Sequence, residues 1–501
     1  MSLYKSFVEK FSHIRLLHQV EALLSWDQQT YMPAGAIDIR AKQLAYMASL
    51  AHTEATSSMY RDTLAEMIDI DTETVKLQGL SLMQQSNLRQ WCRDFKKNNK
   101  LPQDFIKAYY ATTTTATEIW KKARQAANFS LFSPWLEKIV TLNKEKANLL
   151  GYLDSPYDAL IDLYEPGVNT STLSMLFADL SDFLSSLVRR TNGKDSPYES
   201  YFKYSFPQAA QMEFGYLLLQ AMGFGGEHSR LDCSVHPFCS GIHPSDVRLT
   251  TSFNGGLLAH IFAVLHEGGH GLYELGLPKG EWATPAGQAA SMGLHESQSR
   301  WWEVMIGKSL PFWSYIYPFF QKQFPHFKSL PLANFYRHIN HVQASPIRIY
   351  ADEVTYSLHI ILRFEIEKQL IEGTIHVTDI PEIWNAAMQK LLGITPKNDS
   401  EGCLQDIHWS SGYFGYFPTY ALGNIYAAQY FAAFAKSFPD WQVKVTNGSF
   451  AFINDWLRQK IHRFGRMYNA QESMKRITGC PISIEPYKDY LSNKYKALSA
   501  A

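Results

Sequence analysis

The pentapeptide His266-Glu267-Gly268-Gly269-His270 constrains this chain more than any other feature of its sequence. Two histidines four residues apart project from the same face of a helix, so both imidazoles can reach one metal ion. A glutamate directly after the first histidine can hold a water molecule at that metal and accept its proton. The motif therefore predicts a zinc site with a catalytic base. The alternative is a buried helix whose histidines only pack in a core.

The residues around the motif favour a buried helix. Apolar residues precede it at helical spacing, namely Leu257, Leu258, Ile261, Phe262 and Leu265. Asn254-Gly255-Gly256 predicts the start of this helix, and Gly276-Leu277-Pro278 predicts its end. Glycine inside a helix costs up to about 1 kcal/mol relative to alanine. Gly268 and Gly269 therefore indicate that a neighbouring helix or a substrate approaches the backbone closely.

A catalytic zinc ion needs a third protein ligand and one open position. Glu296 is the preferred candidate, because the chain between it and His270 is long enough for a second helix to return antiparallel to the first. Ser291 is expected to cap that second helix. His295 is the alternative ligand, and it would give a three-histidine site.

Composition excludes several classes of protein. The 501 residues carry a net charge of zero, so the sequence lacks the excess of positive charge that is typical of proteins that bind nucleic acid or an anionic membrane. No apolar run is long enough to span a bilayer, and residues 1–18 lack a signal-peptide core. The five cysteines have no metal-binding spacing and predict reduced thiols in a cytoplasmic protein, with Cys233 and Cys239 as small buried residues.

Helical periodicity runs from end to end and predicts a mainly α fold with a small β-sheet beside the zinc helix. The predicted helices cover residues 3–25, 38–55, 103–127, 134–149, 286–308, 332–344, 350–372, 380–392, 420–436, 450–465 and 484–498. Breaks near Asn192-Gly193-Lys194 and Lys397-Asn398-Asp399 predict surface loops.

Residues 231–253 interrupt the helical pattern, and Asp246–Phe253 alternates as a short strand does. An exposed edge on this strand could pair with an extended peptide and lay it across the metal. A connecting hairpin is an equally open interpretation.

Amide hydrolysis also needs a donor for the developing oxyanion. The glycine-rich stretch from His408 to Tyr420 supplies a histidine and several tyrosines, although aromatic packing explains any single tyrosine as well. The free carboxylate of a peptide terminus is best held by the planar fork of an arginine. Arg248, Arg300 and Arg348 are the candidates, and spacing does not choose among them.

Motifs along nearly the whole chain resemble the carboxypeptidase Taq family of metallocarboxypeptidases. They are Ala22-Leu-Leu-Ser-Trp-Asp-Gln-Gln-Thr-Tyr-Met-Pro33, Tyr164-Glu-Pro-Gly167, His236-Pro-Phe238, Asp246-Val-Arg-Leu-Thr-Thr251, His295-Glu-Ser-Gln-Ser-Arg300, Ile347-Arg348, Ala351-Asp-Glu353, Gly415-Tyr-Phe-Pro-Thr-Tyr420, Ile461-His-Arg-Phe-Gly465 and Ile477-Thr-Gly479. The resemblance implies one metallocarboxypeptidase unit over residues 1–501, usually a homodimer. Two helical lobes would flank a deep groove, distantly similar to the neurolysin and angiotensin-converting enzyme folds, with the zinc site in about residues 231–310.

The resemblance also implies roles for individual residues. His266, His270 and Glu296 would bind one zinc ion per chain, for which cobalt may substitute, and Glu267 would be the general base. Tyr420 with His408 would stabilise the transition state. Arg348 would contact the substrate carboxylate, and the groove beside it would be lined by Arg248, His236 and Tyr416.

Two positions depart from expected patterns. Tyr350 stands where the family commonly has a glutamate two residues after Arg348, so an ion pair there is not expected. Arg300 stands four residues after Glu296, where thermolysin-like sites have an aspartate. The sequence therefore does not predict what orients the two zinc histidines through their other ring nitrogens.

These features predict water-promoted hydrolysis of the last bond of peptide substrates, releasing single amino acids. The resemblance implies broad specificity with poor cleavage of a terminal proline. A zinc oligopeptidase that cuts internally in short peptides is the alternative enzyme. An inactive peptide-binding scaffold is less favoured, because a structural zinc site needs no base. No nucleic acid and no membrane is expected as a partner.

Overall fold

The computed structural model describes residues 2–191 and 196–500. Over these residues the chain is mainly helical, and a three-stranded sheet accompanies the helices, as predicted. The predicted loop at 192–194 lies outside the described residues, whereas the loop at 397–399 is confirmed. No helix in the described part of the chain is long and apolar enough to cross a bilayer.

The helices before the sheet are α1 (Leu3–Thr30), α2 (Ile37–Ala55), α3 (Ser58–Ala65), α4 (Leu82–Lys100), α5 (Gln103–Gln125), α6 (Ser133–Leu150), α7 (Pro156–Ile161), α8 (Thr170–Thr191) and α9 (Gln208–Met222). The strands are β1 (Ser229–Cys233), β2 (Cys239–His243) and β3 (Asp246–Thr251). The helices after the sheet are α10 (Gly256–Gly276), α11 (Met292–Arg300), α12 (Leu310–Gln323), α13 (Leu332–Ile339), α14 (Tyr356–Glu372), α15 (Ile380–Leu392), α16 (Pro418–Ser437), α17 (Trp441–Thr446), α18 (Ala451–Lys460), α19 (Ala470–Thr478) and α20 (Glu485–Ala500).

Several predicted helix boundaries are wrong, and at one of them a local side-chain bond competes with the helix. The helix predicted from residue 350 begins at Tyr356, since the carboxylate of Asp352 accepts bonds from the backbone N–H groups of Val354 and Thr355 and forms a turn instead. The helix predicted over 286–308 begins only at Met292. Two others end early, at residue 339 rather than 344 and at residue 460 rather than 465.

The sheet has the order β1-β3-β2, with β3 parallel to β1 and antiparallel to β2. Of the two interpretations of residues 246–253, the exposed edge is therefore wrong, because β3 is the central strand and has a partner on each side. The connecting hairpin is confirmed, because β2 and β3 follow each other in sequence and pair antiparallel. Strand order is set by contacts between distant residues, which alternation along one strand cannot reveal. The edge strands of this sheet are β1 and β2.

Helix α10 begins and ends where the sequence predicts. It ends at Gly276 because Leu277 adopts an extended conformation before Pro278. Both glycines of the motif face neighbouring helices. A Cβ atom on Gly268 would lie 2.6 Å from Cε of Met222 in α9, and one on Gly269 would meet the backbone of α11. The expectation of close approach is confirmed, and helices are the neighbours.

Buried apolar side chains form two clusters in the described chain. The larger surrounds α10, α11, α14 and α16 and contains most of the buried tryptophans. The smaller joins α1, α3 and α4 through residues such as Phe7, Tyr60 and Phe95. All five cysteines are free thiols. The prediction that Cys233 and Cys239 are buried is wrong, because Cys233 is exposed and Cys239 is partly exposed.

Candidate active site

Three side chains from α10 and α11 converge on one point. Nε2 of His266 lies 3.6 Å from Oε2 of Glu296, and Nε2 of His270 lies 3.4 Å from the same oxygen. Zinc–ligand bonds of about 2.0–2.1 Å in a tetrahedron place neighbouring ligand atoms about 3.4 Å apart. The spacing and the chemistry of these donors therefore fit a zinc ion.

The cap of α11 directs Glu296 toward α10. Ser291 accepts the backbone N–H of Leu294, as the sequence predicts, and so fixes the first turn of the helix that carries Glu296. On the far side of Glu296, a Cβ atom on Gly423 of α16 would lie 2.3 Å from its Cγ. Glu296 is thus held between α10 and α16.

His295, the alternative ligand, does not join this group. Its Nδ1 lies 2.5 Å from Nδ1 of His270, and its Nε2 lies 2.8 Å from Oε1 of Glu274. Among the described residues, the group of possible metal donors is His266, His270 and Glu296. His295 therefore contacts Nδ1 of the candidate ligand His270 and is not a candidate ligand itself.

The protonation of the two histidines differs. Burial lowers the pKa of His270 to about 3, so its ring is neutral, as a metal ligand must be. Although burial opposes it, the carboxylates of Glu296 and Glu303 raise the pKa of His266 to about 9. A metal ion that binds at neutral pH must therefore displace a proton from this site.

Glu267 is buried beside the candidate ligands. Its side chain lines the same cavity as those three residues. Burial raises the pKa of Glu267 to about 7. A carboxylate with a pKa near the working pH can both accept and return a proton.

The site opens into a cavity of about 660 Å³. Its lining includes the candidate ligands and Glu267, together with Tyr164, Phe238, Cys239, Glu274, His295, Tyr416, Thr419, Tyr420 and Arg466. Tyr416 and Tyr420 thus line the same cavity as the candidate ligands.

His408 lies behind Tyr420. Its Nε2 is 3.1 Å from the hydroxyl oxygen of Tyr420, which lies in the first turn of α16. Burial lowers the pKa of His408 to about 3, so the ring is neutral. Sequence reasoning paired these two residues, and the structure places them in hydrogen-bond contact.

Arg348 is buried beside the same tyrosine. Its guanidinium lies 5.1 Å from the ring centroid of Tyr420 and donates to the hydroxyl of Tyr356 over 3.1 Å. Nε and Nη2 reach Oδ1 of Asp406 at 3.0 and 2.9 Å. Although burial opposes ionisation, Arg348 and Arg363 hold the pKa of Asp406 far below its usual range. Asp406 is therefore the carboxylate paired with Arg348, and Tyr350 is exposed.

The other two arginines have different partners. Arg300 donates to Glu303 and to Asn424 and is buried among them. Arg248 on β3 pairs with Asp246 and lies 4.3 Å from the ring centroid of Trp26 in α1.

His236 is exposed in the turn before β2. Its neighbours Pro237 and Phe238 line the cavity. Of the three predicted arginines, Arg348 is the one that lies against Tyr420, whereas Arg300 lies 5.2 Å from the ring centroid of Tyr356.

Sequence reasoning missed Glu274, Glu303, Tyr356 and Asp406. Glu274 follows His270 by one helical turn, so its place on the face of the histidines was available from spacing. Glu303 follows Glu296 by two turns, which also puts the two carboxylates on one face. Asp406 pairs with arginines that are distant in sequence, and no local pattern marks it.

Comparisons with known proteins agree with this geometry. Residues 6–495 match the family model described as carboxypeptidase Taq (M32) metallopeptidase. The chain is 37% identical to carboxypeptidase 1 of Bacillus subtilis over 497 residues, which cover 99% of this chain and 98% of that protein. It is 37% identical to thermostable carboxypeptidase 1 of Thermus thermophilus over 512 residues, with 99% and 98% coverage.

Solved structures give the same result. The M32 carboxypeptidase of Deinococcus radiodurans superposes with a TM-score of 0.95 at 31% identity over 100% of both chains. The carboxypeptidase of Pyrococcus furiosus superposes with a TM-score of 0.94 at 34% identity over 99% of each chain. With its donor cluster, its buried glutamate beside that cluster and these full-length matches, the chain belongs to the carboxypeptidase Taq family of metallocarboxypeptidases.

Proposed function

We propose that this enzyme is a zinc-dependent carboxypeptidase that releases single amino acids from the C-terminus of peptides. His266, His270 and Glu296 are the proposed zinc ligands, and Glu267 is the proposed general base. The observation that carries the proposal is the convergence of two imidazoles on one carboxylate oxygen, at 3.4 and 3.6 Å, beside a buried glutamate.

His266, His270 and Glu296 would hold a zinc ion, which would supply the Lewis acidity that polarises the scissile carbonyl and acidifies a water molecule. Glu267 accepts the proton of that water as it attacks the carbonyl carbon. Protonated Glu267 then passes this proton to the nitrogen of the departing amino acid. One carboxylate therefore serves as base and then as acid.

Tyr420 is the proposed donor to the oxyanion. With its proton on Nε2, His408 donates to the hydroxyl oxygen of Tyr420 and leaves the hydroxyl hydrogen free to donate to the substrate. Such a donor is effective when it is already aimed at the place where charge develops. The position of Tyr420 in the first turn of α16, in the cavity wall, supports this role.

Arg348 is the proposed anchor for the substrate's terminal carboxylate. Hydrogen bonds and the ion pair to described residues engage three of its five N–H donors, which leaves capacity for an anion. Asp406 fixes the guanidinium in place, and two arginines around one carboxylate leave the group with net positive charge. Recognition of a free carboxylate favours a carboxypeptidase over an oligopeptidase that cuts internally.

Arg248, His236 and Tyr416 are proposed to line the substrate groove further from the reacting bond. We also propose broad specificity with slow release of a terminal proline, whose nitrogen carries no N–H and whose φ is fixed. We further propose that cobalt can replace zinc and that the enzyme is a homodimer in the cytoplasm. Residues 1–501 form a single unit in this proposal.

One experiment tests the central claim. The zinc-loaded enzyme is incubated with a mixed peptide library, in free-acid and C-terminally amidated forms, and the products are mapped by mass spectrometry. We expect stepwise shortening from the free C-terminus, loss of activity with a chelator and recovery with zinc. Internal fragments from both forms would support the oligopeptidase, and the absence of products with metal bound would support the scaffold.

A further inference from the structure

Each candidate zinc histidine has a partner on its Nδ1 atom, opposite the metal-facing Nε2. For His266 the partner is a carboxylate, since its Nδ1 lies 2.8 Å from Oε2 of Glu303. The same oxygen accepts from Nη1 of Arg300 over 2.6 Å, and Nε of Arg300 donates to Asn424 in α16. Hydrogen bonds to His266 and Arg300 therefore hold the carboxylate of Glu303 in place without a metal ion.

For His270 the partner is His295, which is itself hydrogen-bonded to Glu274. Nδ1 of His270 lies 2.5 Å from Nδ1 of His295, and Nε2 of His295 lies 2.8 Å from Oε1 of Glu274. When Nε2 of His270 faces the metal, its proton is on Nδ1 and is donated to His295. His295 must then be unprotonated at Nδ1 and carry its proton on Nε2, where Glu274 accepts it. The geometry fixes the tautomers of both rings.

Glu303 lies in an unusual segment. Directly after α11 the chain widens into a π-helical turn over Trp301–Ile306, in which the N–H of Gly307 bonds to the carbonyl of Trp302. Such turns are rare and frequently mark functional sites. In thermolysin-like sites an aspartate four residues after the third ligand would be in reach of the metal site. Here that position is Arg300, and the carboxylate comes three residues later.

We propose that Glu303, and the pair His295–Glu274, are positioning residues that hold His266 and His270 with Nδ1 protonated and Nε2 directed at the metal. This inference rests on the proposed ligands of the zinc ion. Glu303 gives His266 an anionic partner, whereas His270 receives a neutral imidazole backed by a carboxylate. Glu303 therefore contributes more to metal affinity than Glu274 does.

The test measures zinc affinity rather than activity. Apo-protein is titrated with zinc in competition with a chromogenic chelator for the wild type, Glu303→Gln, Glu274→Gln and His295→Gln. We expect affinity to fall about 10- to 100-fold for Glu303→Gln and by less for Glu274→Gln and His295→Gln. The visible spectrum of cobalt-loaded Glu303→Gln should shift relative to the wild type, because ligand orientation has changed.

Glu353→Gln is the matched control, because Glu353 is buried and paired with Lys494 but does not touch the candidate ligands. It should lower the melting temperature and leave zinc affinity unchanged. Unchanged zinc affinity in Glu303→Gln, Glu274→Gln and His295→Gln would overturn the inference. So would nitrogen-15 NMR spectra of the zinc-loaded protein that place the proton of His295 on Nδ1. Tight zinc binding by His266→Ala would instead overturn the proposed ligand set, so the two failures are distinguishable.

Discussion

Gly269 lies so close to Gln298 that a Cβ atom on it would be 2.4 Å from the carbonyl oxygen of Gln298. The neighbouring atom at 2.7 Å is the Cα of Ser299, so α10 and α11 meet backbone to backbone. This contact lies one residue from His270 and two residues from Glu296. The distance between two candidate ligands therefore depends on the absence of a side chain at position 269.

Gly269→Ala should push α10 and α11 apart. We expect the free energy of unfolding of the apo-protein to fall by about 1–3 kcal/mol, which is typical of an overpacked core. Zinc binding should weaken as well, because His270 moves relative to Glu296. Denaturant unfolding and chelator competition measure the two effects. Gly35→Ala is the control, since no atom lies within 4 Å of a Cβ there, and equal effects of both substitutions would contradict the prediction.

Glu267→Gln should keep zinc and lose turnover. The amide occupies the same space but cannot accept the proton of the attacking water, so we expect kcat to fall by about 100-fold or more. Zinc content by atomic absorption should stay at the wild-type value. A variant that retains substantial kcat with zinc bound would remove Glu267 from the role of base.

Arg348→Lys should separate free-acid from amidated substrates. Lysine keeps the positive charge but lacks the planar fork, so a hydrogen bond to the substrate carboxylate worth about 1.5–3 kcal/mol is lost or weakened. We expect KM for free-acid peptides to rise about 10- to 100-fold. The rate at which the enzyme slowly cleaves C-terminally amidated peptides should change little. Arg248→Lys is the comparison. A larger rise in KM for Arg248→Lys than for Arg348→Lys would show that Arg248 holds the substrate carboxylate.

Glu165 should make stability depend on pH. Its side chain is fully buried against the start of α11. There it accepts hydrogen bonds from the hydroxyl of Ser291 and from the backbone N–H of Gly293, and burial raises the pKa of Glu165 to about 7. Because the folded-state pKa exceeds the ordinary value, the fold favours the protonated form. Its contribution to stability is full below a pH of about 4.5 and is lost as the pH rises through about 7.

The corresponding experiment compares the free energy of unfolding of wild-type and Glu165→Gln apo-protein at a pH of about 5 and of about 8. A shift from 4.5 to about 7 sets an upper limit of about 3 kcal/mol on the change in the wild type. Glutamine does not titrate, so the difference between the two pH values should shrink in the variant. An unchanged difference would show that Glu165 is ionised in the fold at both pH values.

The local parts of the site could be predicted from the sequence. The boundaries of α10, the cap at Ser291 and the pair His266 and His270 each follow from residues a few positions apart, whereas spacing alone left His295 open beside Glu296 as the third ligand. The partner Asp406 could not be predicted in the same way, because an arginine pairs with whichever carboxylate the packing of distant helices brings near. The wrong edge assignment of β3 has the same origin, since a strand's alternation says nothing about its neighbours.

The contact of Gly423 with Glu296 has a consequence for redesign of this enzyme. Tyr420 lies one turn before Gly423 on α16, so the proposed metal ligand and the proposed oxyanion donor belong to one rigid unit. Their separation is set by helix packing and does not change when loops at the mouth of the cavity move. Altered substrate preference is therefore best sought at Phe238 and Cys239, which line the cavity at the start of β2 and belong to neither α11 nor α16.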